Sequence, residues 1–241
     1  MKAETIIQAE DQKATQRIKR SQSWQMVYIA LFTSLLAFFV LITTLIELEG
    51  SQPKRDYQKL VNFLYLDALE TQERLGMNWL HIENTLSKGV KITMQEEVFS
   101  SQNLFASGRA KINPRYLPYI NRFVGFLNQL QLESFQQRHP LQVKSITRPD
   151  ESFQVTIRIE GHTDATPLAK TALYQSNFEL STFRAYAIMN VLQIYSGLPE
   201  SSFSIAGYGS FHPVTRNPYD SENRRVEIYL IPQAIQKRGT S

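Results

Sequence analysis

His162 and Asp164, separated by one threonine, are the pair most open to chemistry in this sequence of 241 residues. An imidazole and a carboxylate that close could share a metal ion. The other histidines, His81, His139 and His212, stand at no spacing that would complete such a site. There is no cysteine, which removes disulfides, thiolate ligands, a cysteine nucleophile and a lipidated N-terminal cysteine. No Ser/His/Asp signature and no glycine-rich phosphate loop occurs. The expectation is therefore a binding protein and not an enzyme, with neither metal nor cofactor. Taken singly, Asp164 reads as a turn carboxylate bonded to its own backbone, and Arg184 as a solvated cation. The 26 Lys and Arg against 22 Asp and Glu leave +4, too even a balance to argue for nucleic acid.

The elements that must position these residues follow from hydrophobic periodicity. Val90–Gln95 alternates as a strand, and Phe153, Val155, Ile157 and Ile159 alternate with polar neighbours as a second. Phe203–Tyr208 and Val226–Ile231 are two more. Leu117–Leu132 is helical, with Pro118 in its first turn, and so is Asn177–Tyr195, with Leu180, Phe183, Ala187 and Val191 on one stripe. Strands alternating with helices, then closing strands, give an α/β (α+β) domain whose sheet is covered by helices on one face. Residues 133–152, polar and carrying Pro140 and Pro149, read as an extended loop.

Before this domain, Trp24–Ile46 runs without a charge, long enough to cross a bilayer core of roughly 30 Å. Lys2, Lys13, Arg17, Lys19 and Arg20 precede it, and Glu47 and Glu49 follow. The positive-inside rule then puts residues 1–23 in the cytoplasm and the rest outside. A cleaved signal peptide would show a shorter run and a small-residue site, which the sequence lacks after Ile46. The spacer, 47–89, reads as helix from Lys54 to Lys88. Val61, Ala68, Leu75 and Ile82 recur at heptad spacing. That pattern fits either a short parallel coiled coil pairing two chains or an amphipathic helix packed on its own domain. The domain itself is placed at 90–241.

Several stretches now stand in a recognisable order. They are Leu104-Phe105-Ala106-Ser107-Gly108-Arg109-Ala110, Gly161-His162-Thr163-Asp164, Asn177-Phe178-Glu179-Leu180-Ser181 with Arg184-Ala185, Gly207-Tyr208-Gly209, and Asn223-Arg224-Arg225-Val226-Glu227-Ile228. Together they resemble the OmpA-like peptidoglycan-binding domains. With the run Trp24-Gln25-Met26-Val27-Tyr28, they resemble most the MotB family, the B subunits of the flagellar stator. The resemblance implies that Asp164 and Arg184 clamp a diaminopimelate residue of a peptidoglycan stem peptide. Thr163, Asn177, Leu180 and Arg225 would assist, and Gly207 and Gly209 would allow a tight backbone path beside the pocket. It also implies a homodimer in the inner membrane, a periplasmic C-terminal domain and a MotA-like membrane partner.

One departure matters. MotB-like membrane helices carry an ion-binding aspartate, and Ala30 stands in its place. The first acid after the run is Glu47, about 25 Å further along a helix. The expectation is a tether that fixes a membrane complex to the wall without conducting ions. The alternative is a working stator subunit whose partner chain supplies the acid.

Overall fold

The computed structural model describes residues 2–94 and 104–237. Side chains are described from residue 24 to 46 and from 53 onward, together with Lys13 and Arg17. Gln95, the last residue of the first expected strand, therefore lies outside the described residues. So do the side chains of Lys2, Lys19, Arg20, Glu47 and Glu49, on which the expected topology rests in part. The first helix, α1, is Lys2–Arg74, and the chain divides into two compact units, Met1–Gln52 and Pro53–Ser241.

In the first unit, Trp24–Ile46 is long and apolar enough to cross a membrane, and its side chains are exposed. Its threonine hydroxyls are satisfied locally. Thr33 Oγ1 donates to the carbonyls of Ile29 and Ala30 at 2.9 and 3.0 Å, and Thr43 and Thr44 donate to Val40 and Leu41. Such back-bonding pairs these three threonine hydroxyls within the helix. Trp24 stacks on Tyr28 at 5.9 Å at the entry end.

The second unit opens with the rest of α1, which buries Leu60, Val61, Leu64 and Ala68. The expected helix to Lys88 is corrected here. The helix ends at Arg74, where Gly76 takes a positive φ of 60° and the Met77 N–H returns to the Gln72 carbonyl at 3.0 Å, and the Gln72 amide braces the turn by donating to the carbonyls of Met77 and Leu80. Strand β1, Leu80–Asn84, follows. The heptad seam is thereby used up inside the chain: Val61, Ala68 and Ile82 are core residues and Leu75 packs against them. The amphipathic helix packed on its own domain is what forms.

The remaining elements are β2 (Val90–Met94), α2 (Leu117–Gln129), α3 (Phe135–Arg138), α4 (Pro140–Ile146), β3 (Glu151–Gly161), α5 (Asn177–Ser196), β4 (Phe203–Gly207) and β5 (Val226–Gln236). Helices α3 and α4 replace the loop expected over 133–152, and Phe135 and Val143 anchor them in the core. The sheet order is β1-β2-β5-β3-β4, antiparallel except where β3 and β4 run parallel across α5. Register sorts the side chains by face. Ile157 pairs with Leu230, and Ile159 and Ile92 both pair with Ile228, on the apolar face. Phe123, Phe126 and Leu127 of α2 complete this core. Glu160 opposite Glu227 and Lys91 opposite Tyr229 fall on the polar face.

Two glycines fix α5 on the sheet. A Cβ on Gly161 would lie 2.1 Å from the Ser181 carbonyl oxygen, and one on Gly207 would lie 2.0 Å from Thr182 Oγ1. Only hydrogen side chains let the helix backbone come this close to the ends of β3 and β4.

A fragment of residues 53–241 should unfold in one cooperative transition. A fragment of 90–241 lacks α1 and β1 and should not, since the core loses Leu60, Val61, Leu64 and Ala68. Within the longer fragment, Leu64→Ala should cost about 2–5 kcal/mol, read by urea denaturation with circular dichroism.

Candidate functional site

The turn after β3 carries the first group. Asp164 is 5 % exposed. Its Oδ1 accepts from the Thr166 N–H at 3.2 Å, so it does bond its own turn, but Oδ2 accepts from Arg224 Nη1 at 2.5 Å. The turn is held from both sides. Thr163 N–H donates to the Gly209 carbonyl and Ala165 N–H to that of Pro218. Asn177 Nδ2 donates to the carbonyls of Asp164 and Thr166 at 3.2 and 2.9 Å.

Asn177 is the first residue of α5, whose start is set by Ser176, its Oγ accepting from the Glu179 N–H at 3.1 Å. Ser181 ties the helix to the neighbouring loop. Its Oγ accepts from the Gly209 N–H at 2.9 Å and donates to the Phe178 carbonyl. One turn further, Arg184 is 5 % exposed. Its Nε donates to the Arg109 carbonyl at 3.1 Å, and its guanidinium lies 5.2 Å from the Phe105 ring centre. Burial is the largest influence on it and the Arg224 charge adds to that, lowering its pKa to about 10 against the pull of Asp164 and Tyr174. It stays protonated at neutral pH. Its two terminal nitrogens make no hydrogen bond among the described residues.

Asp164, Arg184, Thr163, Asn177 and Leu180 line one cavity of about 1010 Å³. Arg224 lines it too, in the place the resemblance gave to Arg225. The structure does not bring Arg225 there. Arg225 faces the other way, its Nε 2.6 Å from Glu227 Oε1 and its Nη atoms on the His212 carbonyl. Consecutive residues at a strand start point to opposite sides, so one arginine serves the cavity and the other the polar face. Asn223 is a further residue whose role the sequence did not show. Its amide, 1 % exposed, accepts from the Val214 and Thr215 N–H groups and donates to Asn217, holding the loop before Arg224.

His162, 3 % exposed, is not part of the cavity around Asp164. It stacks on Tyr208 at 5.3 Å, and neither ring nitrogen has a hydrogen-bond partner among the described residues. Its ligand atoms and those of Glu160 and Glu227 lie within 4.8 Å of one another. The two carboxylates are already engaged by Lys88, Arg158 and Arg225. A metal ion would have to displace these cations, so the cluster is a salt network. Burial and then Arg225 push the His162 pKa down to about 4. For Glu227, burial alone would raise the pKa, but Arg225 and the Tyr229 hydroxyl outweigh it and bring it below the usual value.

Taken as a set, Arg184 and Arg224 bring two guanidinium groups to the Asp164 carboxylate, and the exposed Arg109 lines the same cavity. Two of the carboxylate's roughly four acceptor positions are occupied, which leaves room for an ammonium. The arginine pair offers parallel donors for a carboxylate.

Comparison with known proteins decides the family, because the OmpA family matches residues 104–227, more than half of the chain. The chain belongs to the OmpA family. It is similar to Motility protein B of Bacillus subtilis (strain 168), 31% identical over 150 residues, which are 61% of this chain and 47% of that protein. The chain thus matches about half the length of that relative. A longer match is the uncharacterized protein YtxE of the same organism, 25% identical over 243 residues, covering 87% of this chain and 88% of YtxE. Among solved structures, the putative MotB like protein from Desulfovibrio vulgaris shares the fold, with a TM-score of 0.53 at 18% identity, over 78% of this chain and 99% of that one. The chain is MotB-like, with a C-terminal OmpA-like domain.

The buried histidine makes this OmpA-like domain acid-sensitive. With a folded-state pKa near 4 against an ordinary 6.5, the unfolded chain takes up the proton first, so stability falls as pH drops from 6.5 to about 4. The loss should be on the order of 2–3 kcal/mol. Glu227 adds its own loss only below its ordinary value of 4.5. His162→Phe should flatten the dependence between pH 6.5 and 4.5, measured as urea midpoints across that range.

Proposed function

We propose that this chain is a non-catalytic anchor: one helix in the inner membrane, and a periplasmic domain that grips peptidoglycan through Asp164, Arg184 and Arg224. The observation that carries the reading is the cavity in which these three side chains meet. A diaminopimelate residue in a stem peptide keeps a free amino-acid end, with an ammonium and a carboxylate on one carbon. The ammonium suits Asp164, and the carboxylate suits the outer nitrogens of Arg184 with Arg224 beside it. A net positive set of three favours a ligand carrying an additional carboxylate, which the stem peptide also has. Thr163 supplies a buried hydroxyl without a partner among the described residues. Asn177 and Leu180 shape the wall.

Purified sacculi test the clamp. Asp164→Asn and Arg184→Ala in the detergent-solubilised full chain should each lose about 1.5–3 kcal/mol of binding. Sedimentation of bound protein measures it, and two folded variants that bind like the wild type would remove the assignment.

In the membrane, Ala30 supports a tether. A hydroxyl such as Thr33 cannot take up and release a proton near neutral pH as a carboxylate can, and here it is spent on backbone carbonyls. The N-terminus lies in the cytoplasm, two copies pair, and a MotA-like protein is the expected membrane partner. Vesicles holding the native complex should pass no proton or sodium current. Ala30→Asp should mainly impair insertion, by roughly 2.5–3.5 kcal/mol. A robust flux through the native complex would overturn the tether, and one that persists after every partner acid in the membrane is removed would overturn the reading of Ala30 as well.

A further inference from the structure

The rim of the cavity continues outward as a run of rings. Leu173, 78 % exposed, lines the cavity itself. The next residue, Tyr174, lies against Phe183 of α5, with centroids 5.3 Å apart and planes tilted by 35°. Tyr174 is also close enough to Arg184 to act on its charge. One helical turn beyond Phe183 stands Tyr186. Phe183 and Tyr186 are 46 % and 49 % exposed. Rings of this size are ordinarily buried, and leaving several together in water forfeits apolar burial, so such a patch marks a binding surface.

The surroundings indicate what covers it. Gln175 and Asn190 are exposed around the rings, and Thr182 is half-buried. Glu179 is engaged with the Gln175 N–H, and Arg184 is turned into the cavity. The surface therefore carries a single acid, Glu179, already bonded to a backbone N–H, and is otherwise made of ring faces with amide and hydroxyl groups. A sugar ring has this chemistry in complement, with a C–H face on each side and hydroxyls around the edge. Rings that are flat, with a polar edge on Tyr, suit such a half-wet contact.

We propose that Phe183 and Tyr186, with Tyr174 beside them, form a stacking platform for the glycan strand whose stem peptide is held by the clamp. The inference rests on the peptidoglycan reading above. Its geometry is consistent with the ligand: two extended residues and a lactyl ether separate the third stem residue from its sugar, about 10 Å. Arg184 and Phe183 are adjacent in sequence, and Tyr186 is within a further turn of about 5 Å. A peptide gripped at Arg184 can thus lay its sugar on these rings.

Calorimetry on the detergent-solubilised full chain, with two soluble probes, tests it. One probe is the diaminopimelate-containing stem tripeptide, and the other is the same tripeptide on its disaccharide. The wild type should bind the disaccharide form about five-fold more tightly, in keeping with the gain from aromatic contacts. Phe183→Ala with Tyr186→Ala should abolish that preference and leave tripeptide affinity unchanged, while Arg184→Ala weakens both probes. Both rings are half-exposed, so the double variant should fold, which its circular dichroism checks. Equal affinity of the wild type for the two probes, or a preference that survives the double variant, overturns the platform. So does a double variant that keeps the preference but changes in sedimentation, which would make this face a contact between copies. No binding of the tripeptide by the wild type would instead sink the clamp reading, and the platform with it.

Discussion

The close approach of α5 to the sheet is the constraint on which the site depends. The helix backbone at Ser181 and Thr182 meets the ends of β3 and β4 where only Gly161 and Gly207 leave space. Moving the helix out by the width of a methyl group would separate the two halves of the cavity. Asp164 belongs to the turn that leaves β3 just after Gly161, and Arg184 stands one turn along α5 from Leu180. Their meeting is set by backbone contact and needs no bond between them. Ser181 and Asn177 reinforce the same junction, one through the Gly209 N–H and the other through the carbonyls of the Asp164 turn. The frame is complete without a ligand, an arrangement that lowers the ordering entropy a ligand would have to overcome.

Charge is separated across the sheet in a way that keeps the site available. The polar face uses Lys88, Arg158 and Arg225 to compensate Glu160 and Glu227. On the cavity side, Asp164 is the carboxylate and two arginines face it. If Arg225 turned to the cavity as well, Glu227 would be buried without its nearest cation, which is strongly unfavourable. The division of labour between two adjacent arginines is thus enforced by the acids beneath them.

Much of this was legible in the residues. Phe153, Val155, Ile157 and Ile159 alternate because one face of β3 is buried, and the α5 stripe is evident for the same reason. The expected sheet covered by helices on one face is the observed one. Strand β1 was hidden, because Ile82 falls on a heptad begun by Val61 and Ala68. What stops the helix is Gly76 in the left-handed conformation, braced by the Gln72 side chain on Met77 and Leu80, a stop that the continuing heptad spacing masked. Helices α3 and α4 are too short to show a repeat, and they exist because Phe135 and Val143 find the core. At the site, Asp164, Asn177 and Arg184 were indicated by the resemblance. Which of Arg224 and Arg225 joins them depends on the register of β5 against β3, and that register is a tertiary fact.

The incorporation of α1 into the second unit has a mechanical side. In the proposed anchor, tension would enter this unit at Pro53 and leave at a wall ligand beside Asp164. Along the sheet order β1-β2-β5-β3, the load crosses hydrogen-bonded strands sideways. Neighbouring antiparallel strands pulled this way would open bond by bond, a weak arrangement. The buried face of α1, with Leu60, Val61, Leu64 and Ala68, lies ahead of β1 in the chain and must be dragged out of the core before the edge strand feels the pull. In the proposed anchor the spacer would act as a clutch: its apolar grip, and not the strand pairing, would set the force at which the unit begins to give.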